Sequence, residues 1–132
     1  MPARANATFE VISWDEKPYS EIEGAPKLAH VTVTHIYRGD IEGESTLQYL
    51  MVWPSETNAI FAGLERVVGR IGDRSGSFAL QHTGTLDNGI ADAKWSVVPG
   101  SGTGDLRGLR GEGGYVSGHV QPHPFTLDYD LE

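Results

Sequence analysis

The chain has 132 residues, of which 18 are acidic and 10 basic, a formal net charge of -8 at pH 7 and no cysteine. That charge disfavours nucleic acid and anionic membranes as partners, because both require a cationic surface, and the missing cysteines exclude disulfides and thiolate chemistry. The length fits a single domain over residues 1–132, and 17 glycines without a collagen period favour an all-β fold with many tight turns.

Strand-like runs follow one another along the chain with almost no helical periodicity. They cover residues 6–14, 27–38, 44–53, 58–70, 76–86, 90–98, 112–119 and 124–131. Short turn-forming links favour sequential antiparallel pairing, and strands without a covering helix usually close on themselves because closure removes the edges. The sequence therefore predicts an eight-stranded antiparallel β-barrel, whose interior is filled by side chains or holds one small ligand.

Two segments depart from the strand pattern. Residues 15–26 are predicted to be an irregular excursion over one end of the barrel. Residues 100–111 are predicted to be a glycine-rich loop with a short helical turn near 103–109. The glycines at its start lack the long helix of a dinucleotide-binding fingerprint. Their expected role is a turn with positive φ that closes one barrel end.

Targeting signals and metal-binding patterns are weak. The first six residues contain no apolar core of a signal peptide, and no run approaches the ~20 apolar residues of a spanning helix, so the cytoplasm is the expected location. His119 and His123 have an HxxxH spacing, but Pro122 and Pro124 exclude the helix that would align them. We therefore expect no metal and no cofactor.

The registers of two hairpins place a carboxylate beside an imidazole. A two-residue Asn-Gly turn at residues 88–89 pairs His82 with Trp95. A four-residue turn over residues 72–75 pairs Glu65 with His82, and a slip of one residue would turn the strand face over. These three side chains then form a row across three strands, with Cβ atoms roughly 5 Å apart.

This row is expected to point into the barrel. Its neighbours on the same face are mostly apolar: Phe61, Gly63, Val67, Phe78, Leu80, Ala91, Ala93 and Val97. An imidazole beside a carboxylate in an apolar cavity is an oriented general base, typically worth about 10²–10⁴ in rate. Glu65 and His82 are thus the candidate catalytic residues. The alternative is that they only satisfy each other's hydrogen bonds.

Other polar and aromatic side chains are candidates for contact with a ligand, because such groups give contact area and orientation. Each can equally be an ordinary core residue. The set comprises Trp95, His35, Tyr37, Tyr49, Phe78 and Tyr115.

Several motifs together resemble a known family. They are Phe9-Glu10-Val11, Trp14-Asp15, Gly69-Arg70-Ile71-Gly72-Asp73-Arg74-Ser75-Gly76-Ser77-Phe78, Gln81-His82-Thr83-Gly84-Thr85, Trp95, Pro99-Gly100-Ser101-Gly102-Thr103-Gly104, Leu109-Arg110-Gly111-Glu112-Gly113 and Tyr129-Asp130. The chain closely resembles the bacterial domain-of-unknown-function family 3224 over essentially its whole length. The resemblance implies a barrel with a central cavity, similar to that of allene oxide cyclases and dirigent proteins. It implies no reaction and carries over no catalytic residue.

Three functions stay open. The leading one is a small-molecule barrel that binds an apolar or aromatic metabolite, with cofactor-independent isomerisation or cyclisation at Glu65 and His82. The second is a carrier or sensor of such a ligand. The third is a filled barrel that acts through self-association, as a homo-oligomer, or through a protein partner. Open space beside Gly63, Ala91 and Ala93 would favour the first two.

Overall fold

The computed structural model describes residues 3–117 and 123–131, with backbone alone at 115–117 and 123–125. Each strand pairs antiparallel with the next, and the first pairs with the last to close a barrel. The strands are β1 (Ala3–Ser20), β2 (Lys27–Gly39), β3 (Ile41–Trp53), β4 (Asn58–Ile71), β5 (Arg74–Asp87), β6 (Ile90–Val97), β7 (Leu109–Ser117) and β8 (His123–Leu131). The predicted all-β class and the eight antiparallel strands are confirmed.

The first strand is longer than its sequence pattern predicted. Residues 15–20, expected to be irregular, continue β1, because its ladder with β2 runs on until Ser20 pairs with Leu28. The ladder contains a bulge between Val11 and Ser13, which shifts the alternation of side chains by one residue. The prediction for residues 15–20 was therefore wrong, and only residues 21–26 form the connection.

The hairpin between β5 and β6 has the predicted register. His82 pairs with Trp95, and the turn residues Asn88 and Gly89 have φ values of 51° and 84°. Two positive φ values in a two-residue loop match the right-handed twist of the flanking strands. The Asn-Gly pair thus fixes which residues of these strands lie opposite each other.

The hairpin between β4 and β5 has a different register from the predicted one. Gly72, with φ of 59°, begins a two-residue turn, so that Ile71 pairs with Arg74. Glu65 consequently lies opposite Leu80 and not opposite His82, which pairs with Gly63. The predicted pairing was wrong by two residues. Because strand side chains alternate with a period of two, the inward face was nevertheless right.

One end of the barrel, the first end, is closed by the loop over residues 98–108. This loop runs beside the first residues of β5, which precede the ladder with β6 that begins at Leu80. There the Thr103 amide donates a hydrogen bond to the Ser77 carbonyl at 2.8 Å. A 3₁₀ turn at Gly104–Leu106 inserts the fully buried Leu106 side chain into the core. Gly100 and Gly104 have φ values of 82° and 60°. The predicted helical turn and the predicted positive-φ turn at one barrel end are both confirmed.

Aromatic rings inside the barrel lie against glycines of the neighbouring strand. A methyl group on the glycine would approach the ring to 2.5–2.8 Å in three register pairs: Tyr49 with Gly63, Phe61 with Gly84, and Trp95 with Gly113. Glycine therefore provides the room for each ring. The space beside Gly63 is filled by Tyr49 and is not the open space that a cavity at that position would need.

The opposite, second end carries the connections at residues 21–26, 54–57 and 88–89. β1 pairs with β8 only as far as Phe9, so the rest of the β1–β2 hairpin extends past that pairing. Inward-facing side chains near this end, among them Val11, Trp53 and Leu86, are only partly buried against the core. In the described part of the chain, no helix is long and apolar enough to cross a membrane.

Candidate functional site

A buried glutamate in β4 gathers hydrogen bonds inside the barrel. Glu65 is 1% exposed. Its Oε1 accepts from Nε2 of His82 at 2.7 Å. Its Oε2 accepts from the Tyr37 hydroxyl at 2.5 Å, from Nδ1 of His35 at 3.3 Å and from the Ser45 hydroxyl. Four side chains from three other strands thus converge on one carboxylate, which we call the Glu65 cluster.

The alternation of side chains explains why these residues meet. His35 and Tyr37 are inward positions of β2, and Ser45 is an inward position of β3. Strands of a closed barrel tilt against its axis, so a long side chain on β4 can cross the interior to β2. The cluster therefore depends on the tilt and curvature of four neighbouring strands, beyond what any single hairpin register specifies.

The electrostatics of the cluster favour an ionised glutamate. Burial alone would raise the pKa of Glu65, but the hydrogen bonds that His35 and His82 donate to it outweigh this effect and leave the pKa below its ordinary value of 4.5. The pKa of Tyr37 is raised well above 10.0, first by burial and then by the neighbouring charge of Glu65. The tyrosine therefore stays a hydrogen-bond donor, and the carboxylate stays an acceptor.

His82 has one ring nitrogen engaged and the other free. The side chain is 2% exposed and its Nε2 meets Glu65, while its Nδ1 has no hydrogen-bond partner among the described residues. The ring lies between Trp95, at a centroid distance of 5.4 Å, and Tyr49, at 5.9 Å. In the neutral tautomer that carries its proton on Nε2, facing the carboxylate, Nδ1 has a free lone pair in a region bordered by these two aromatic rings.

The predicted ligand-contacting residues other than Trp95 divide into three groups. His35 and Tyr37 lie inward, as predicted, but their polar atoms face Glu65. Tyr49 and Phe78 are buried core aromatics. The side chain of Tyr115 lies outside the described residues, as does His119 of the HxxxH spacing.

Trp95 is buried on the predicted face, and its indole N–H donates to the Thr126 carbonyl at 3.2 Å. That group is thus engaged with the barrel wall, and the ring alone is presented to the interior. Ser45 was missed by the sequence analysis. Its only signal is a small polar residue at an inward position of β3, two residues before Leu47.

Metal-ligating side chains are not clustered in the described part of the chain. No group of three or more His, Asp or Glu residues there is arranged to hold a metal ion. The Glu65 cluster contains two imidazoles and one carboxylate, but the carboxylate oxygens lie directly against their donors. Its geometry is that of a hydrogen-bonded network.

Comparison with known proteins places the chain in a family. Residues 5–129 match the profile of a family described as protein of unknown function, DUF3224. The chain belongs to the DUF3224 family. The fold is similar to the crystal structure of a protein with unknown function from the DUF3224 family of Shewanella oneidensis MR-1. The TM-score is 0.84 and the sequence identity is 26%. The match covers 100% of this chain and 99% of that one. No curated protein matches the chain.

Proposed function

We propose that this DUF3224 protein binds a small apolar or aromatic molecule inside the barrel, with His82 as its polar contact. The observation that carries the proposal is the Nδ1 atom of His82, which is buried and has no partner within residues 3–117 and 123–131. Buried polar atoms in proteins nearly always have a hydrogen-bond partner. A hydroxyl group of a bound molecule would supply one.

The surroundings of His82 suit such a molecule. Trp95 and Tyr49 flank the imidazole with aromatic rings, and the first end of the barrel is closed by Leu106. Entry would therefore be from the second end, past the partly buried Trp53 and Leu86. Apolar walls with a few oriented polar groups are the usual composition of a small-molecule site.

The same arrangement supports acid–base chemistry. Glu65 already accepts four hydrogen bonds and has a lowered pKa, so its role would be to orient His82 and to stabilise the protonated imidazole. Nδ1 would remove a proton from one carbon of the bound molecule and return it to another. That sequence is an isomerisation and consumes no oxidant or cofactor. The predicted likeness to allene oxide cyclases would fit this role and stays a prediction.

Native mass spectrometry of the purified protein tests the proposal. The protein is exposed to a bacterial metabolite extract and, separately, to 2-naphthol, an aromatic molecule with one hydroxyl donor. We expect a retained adduct that His82→Phe weakens and that His30→Phe, a change at an exposed histidine on the outer surface, leaves intact. The retained molecule is then released and its structure is compared by NMR with that of the molecule added: an unchanged structure indicates a carrier, whereas an isomer of the same mass indicates an enzyme. Absence of any adduct, or equal retention by both variants, would contradict the proposal.

A second candidate function, self-association, rests on the outer face of β3 and β4. Four large aliphatic side chains there are more than half exposed: Leu50 at 56%, Ile60 at 59%, Leu64 at 58% and Val68 at 58%. Three of the four follow one another along β4 at every fourth residue, and with Leu50 they form one apolar patch, the β3–β4 patch. Exposed apolar patches of this kind mark interaction sites.

A second copy of the chain is the partner that fits this patch. Arg66 lies between Leu64 and Val68 on the same face, and Glu44 is the register partner of Val68. Neither charge has an ion-pair partner among the described residues. In a two-fold contact, which places the same surface on both subunits, Arg66 of each copy would meet Glu44 of the other.

Sedimentation velocity tests this second candidate. Leu64→Lys should convert an oligomer to monomer, whereas Ile90→Lys, at a residue 52% exposed and outside the patch, should not. A wild-type protein that sediments as a monomer at all accessible concentrations would refute it.

A further inference from the structure

Two tryptophans near the second end of the barrel hold a carboxylate between them. Glu16 accepts from the indole N–H of Trp53 at 3.0 Å through Oε2 and from that of Trp14 at 3.3 Å through Oε1. Both residues lie in strands, Trp14 two residues before Glu16 in β1 and Trp53 at the end of β3. We call this group the Trp–Glu site.

The bulge in β1 creates this site. Before the bulge Phe9 pairs with the inward Tyr37, and after it Glu16 pairs with the inward Val31. Without the extra residue, Glu16 would point away from the barrel, because side chains alternate along a strand. The site therefore opens on the inner side of the sheet, at a pocket of about 680 Å³ that is also lined by Lys27, Pro18 and Glu56.

The Trp–Glu site already holds an ammonium group of its own chain. The Nζ of Lys27, the register partner of Trp53, lies 5.5 Å from the centroid of the Trp53 ring. A cation over the face of an indole is attracted by the ring quadrupole. Lys27 forms no ion pair with another described residue, so the aromatic face and not a carboxylate positions its charge.

The charges of the pocket favour a cation over an anion. Two carboxylates, Glu16 and Glu56, line it against the single cation Lys27, and the whole chain has a net charge of -8. An anionic group would be repelled on both counts. An organic ammonium group would be attracted by Glu16 and would contact the face of Trp53, and aromatic rings with a nearby carboxylate are suited to alkylated ammonium ions.

We propose that the Trp–Glu site binds an organic ammonium group, with Lys27 as the resident cation that the ligand displaces. The flexible four-carbon stem of lysine lets its charge leave the ring for solvent. The proposal goes beyond the binding of an apolar molecule near His82, because none of its residues belongs to the Glu65 cluster. Either site can exist without the other.

The test compares choline with its neutral analogue 3,3-dimethyl-1-butanol, which has the same shape without the charge. The three tryptophans give three indole N–H signals in a ¹H–¹⁵N NMR spectrum. Trp95 serves as the internal reference because it is 3% exposed and its indole N–H donates a hydrogen bond to the Thr126 carbonyl. Choline should shift the signals of Trp14 and Trp53 and leave that of Trp95 unchanged, and the neutral analogue should shift none.

Variants separate the roles of the two charges. Glu16→Gln keeps an oxygen that accepts from an indole but removes the charge, and it should weaken choline binding about tenfold, which corresponds to about 1.4 kcal/mol. Lys27→Met removes the resident cation and should tighten binding. Lys17→Met, at a lysine on β1 that faces Asp15 at 3.7 Å, is the matched control and should change nothing.

Three results would overturn the proposal: no indole shift with choline, equal shifts with the neutral analogue, or weaker binding by Lys27→Met. Glu65→Gln should leave choline binding unchanged. Its effect on the 2-naphthol adduct reports on the other site, so failure of one proposal is distinguishable from failure of the other.

Discussion

Replacement of Glu65 by leucine should destabilise the protein severely. Four buried donors, from His35, Tyr37, Ser45 and His82, would lose their acceptor. Removing one partner of a buried charged network costs about 3–5 kcal/mol, and single unsatisfied buried donors cost about 1–3 kcal/mol each. We expect the free energy of unfolding to fall by about 4 kcal/mol, which is a large share of the roughly 5–15 kcal/mol by which folded domains are stable.

Glu65→Gln is the discriminating variant. Its carbonyl can still accept hydrogen bonds, but its amide group faces a donor, so the expected loss is about 1–3 kcal/mol. Urea unfolding followed by circular dichroism measures both losses, with Glu112→Gln at an exposed position of β7 as the control. If Glu65→Leu were no less stable than this control, the buried hydrogen bonds to Glu65 would not contribute to the stability of the barrel.

The pH dependence gives an independent check on the ionised state of Glu65. The pKa of this carboxyl is lower in the folded protein than its ordinary value of 4.5, so the unfolded chain binds the proton more readily. The resulting stabilisation is present above pH 4.5 and is lost as the pH falls toward the folded pKa. The difference in unfolding free energy between wild type and Glu65→Gln should therefore shrink on acidification. A difference that stays constant from neutral pH to well below 4.5 would show that folding does not lower the pKa of Glu65.

Three further predictions concern the barrel itself. Leu106→Ala should lower the unfolding free energy by about 2–5 kcal/mol in urea titrations, because it removes a fully buried side chain at the first end. A loss below 1 kcal/mol, on the order of a surface change, would mean that the loop does not close this end of the core. Gly63→Ala should abolish or strongly reduce soluble expression, because the new methyl group would lie 2.1 Å from the Gln48 carbonyl oxygen, and a wild-type melting temperature would disprove the close approach. Tyr37→Phe should leave the amplitude of the ultraviolet titration near pH 10 unchanged, because burial and the charge of Glu65 raise the Tyr37 pKa well above 10.0; a smaller amplitude in the variant would show that Tyr37 ionises with the exposed tyrosines.

Sequence reasoning found most of the fold because the signals were local. The Asn-Gly turn at residues 88–89 defines its own geometry, and the β5–β6 register followed from it. The predicted four-residue turn over residues 72–75 and the observed two-residue turn both begin at Gly72, and sequence alone does not choose between the two turn lengths. The error of two residues kept Glu65 on the inward face because alternation is insensitive to even shifts.

The candidate site was only half predictable for the same reason. Glu65 and His82 come from adjacent strands, so hairpin reasoning could bring them together, and they lie 2.7 Å apart despite the wrong register. His35 and Tyr37 are two strands away from Glu65 and reach the carboxylate because the strands tilt and curve around the interior. Ser45 is a diagonal neighbour of Glu65 on the adjacent β3, where it pairs with Val67. The bulge in β1 also has no clear sequence signal, and it decides which way Glu16 points.

The pairing of β1 with β8 has a consequence for how the protein folds. All strand pairs except this one join strands that are consecutive in the chain, so seven hairpins can form with short loop closures. In the pairing of β1 with β8, Ala3 lies opposite Tyr129, which comes from the far end of the sequence. The entropy of closing that longest loop is recovered only when the last ladder forms. An open sheet with two unpaired edges should therefore be the last species before the native barrel. Crowded or concentrated refolding would then be limited by edge-to-edge aggregation of that sheet, and not by the formation of its hairpins.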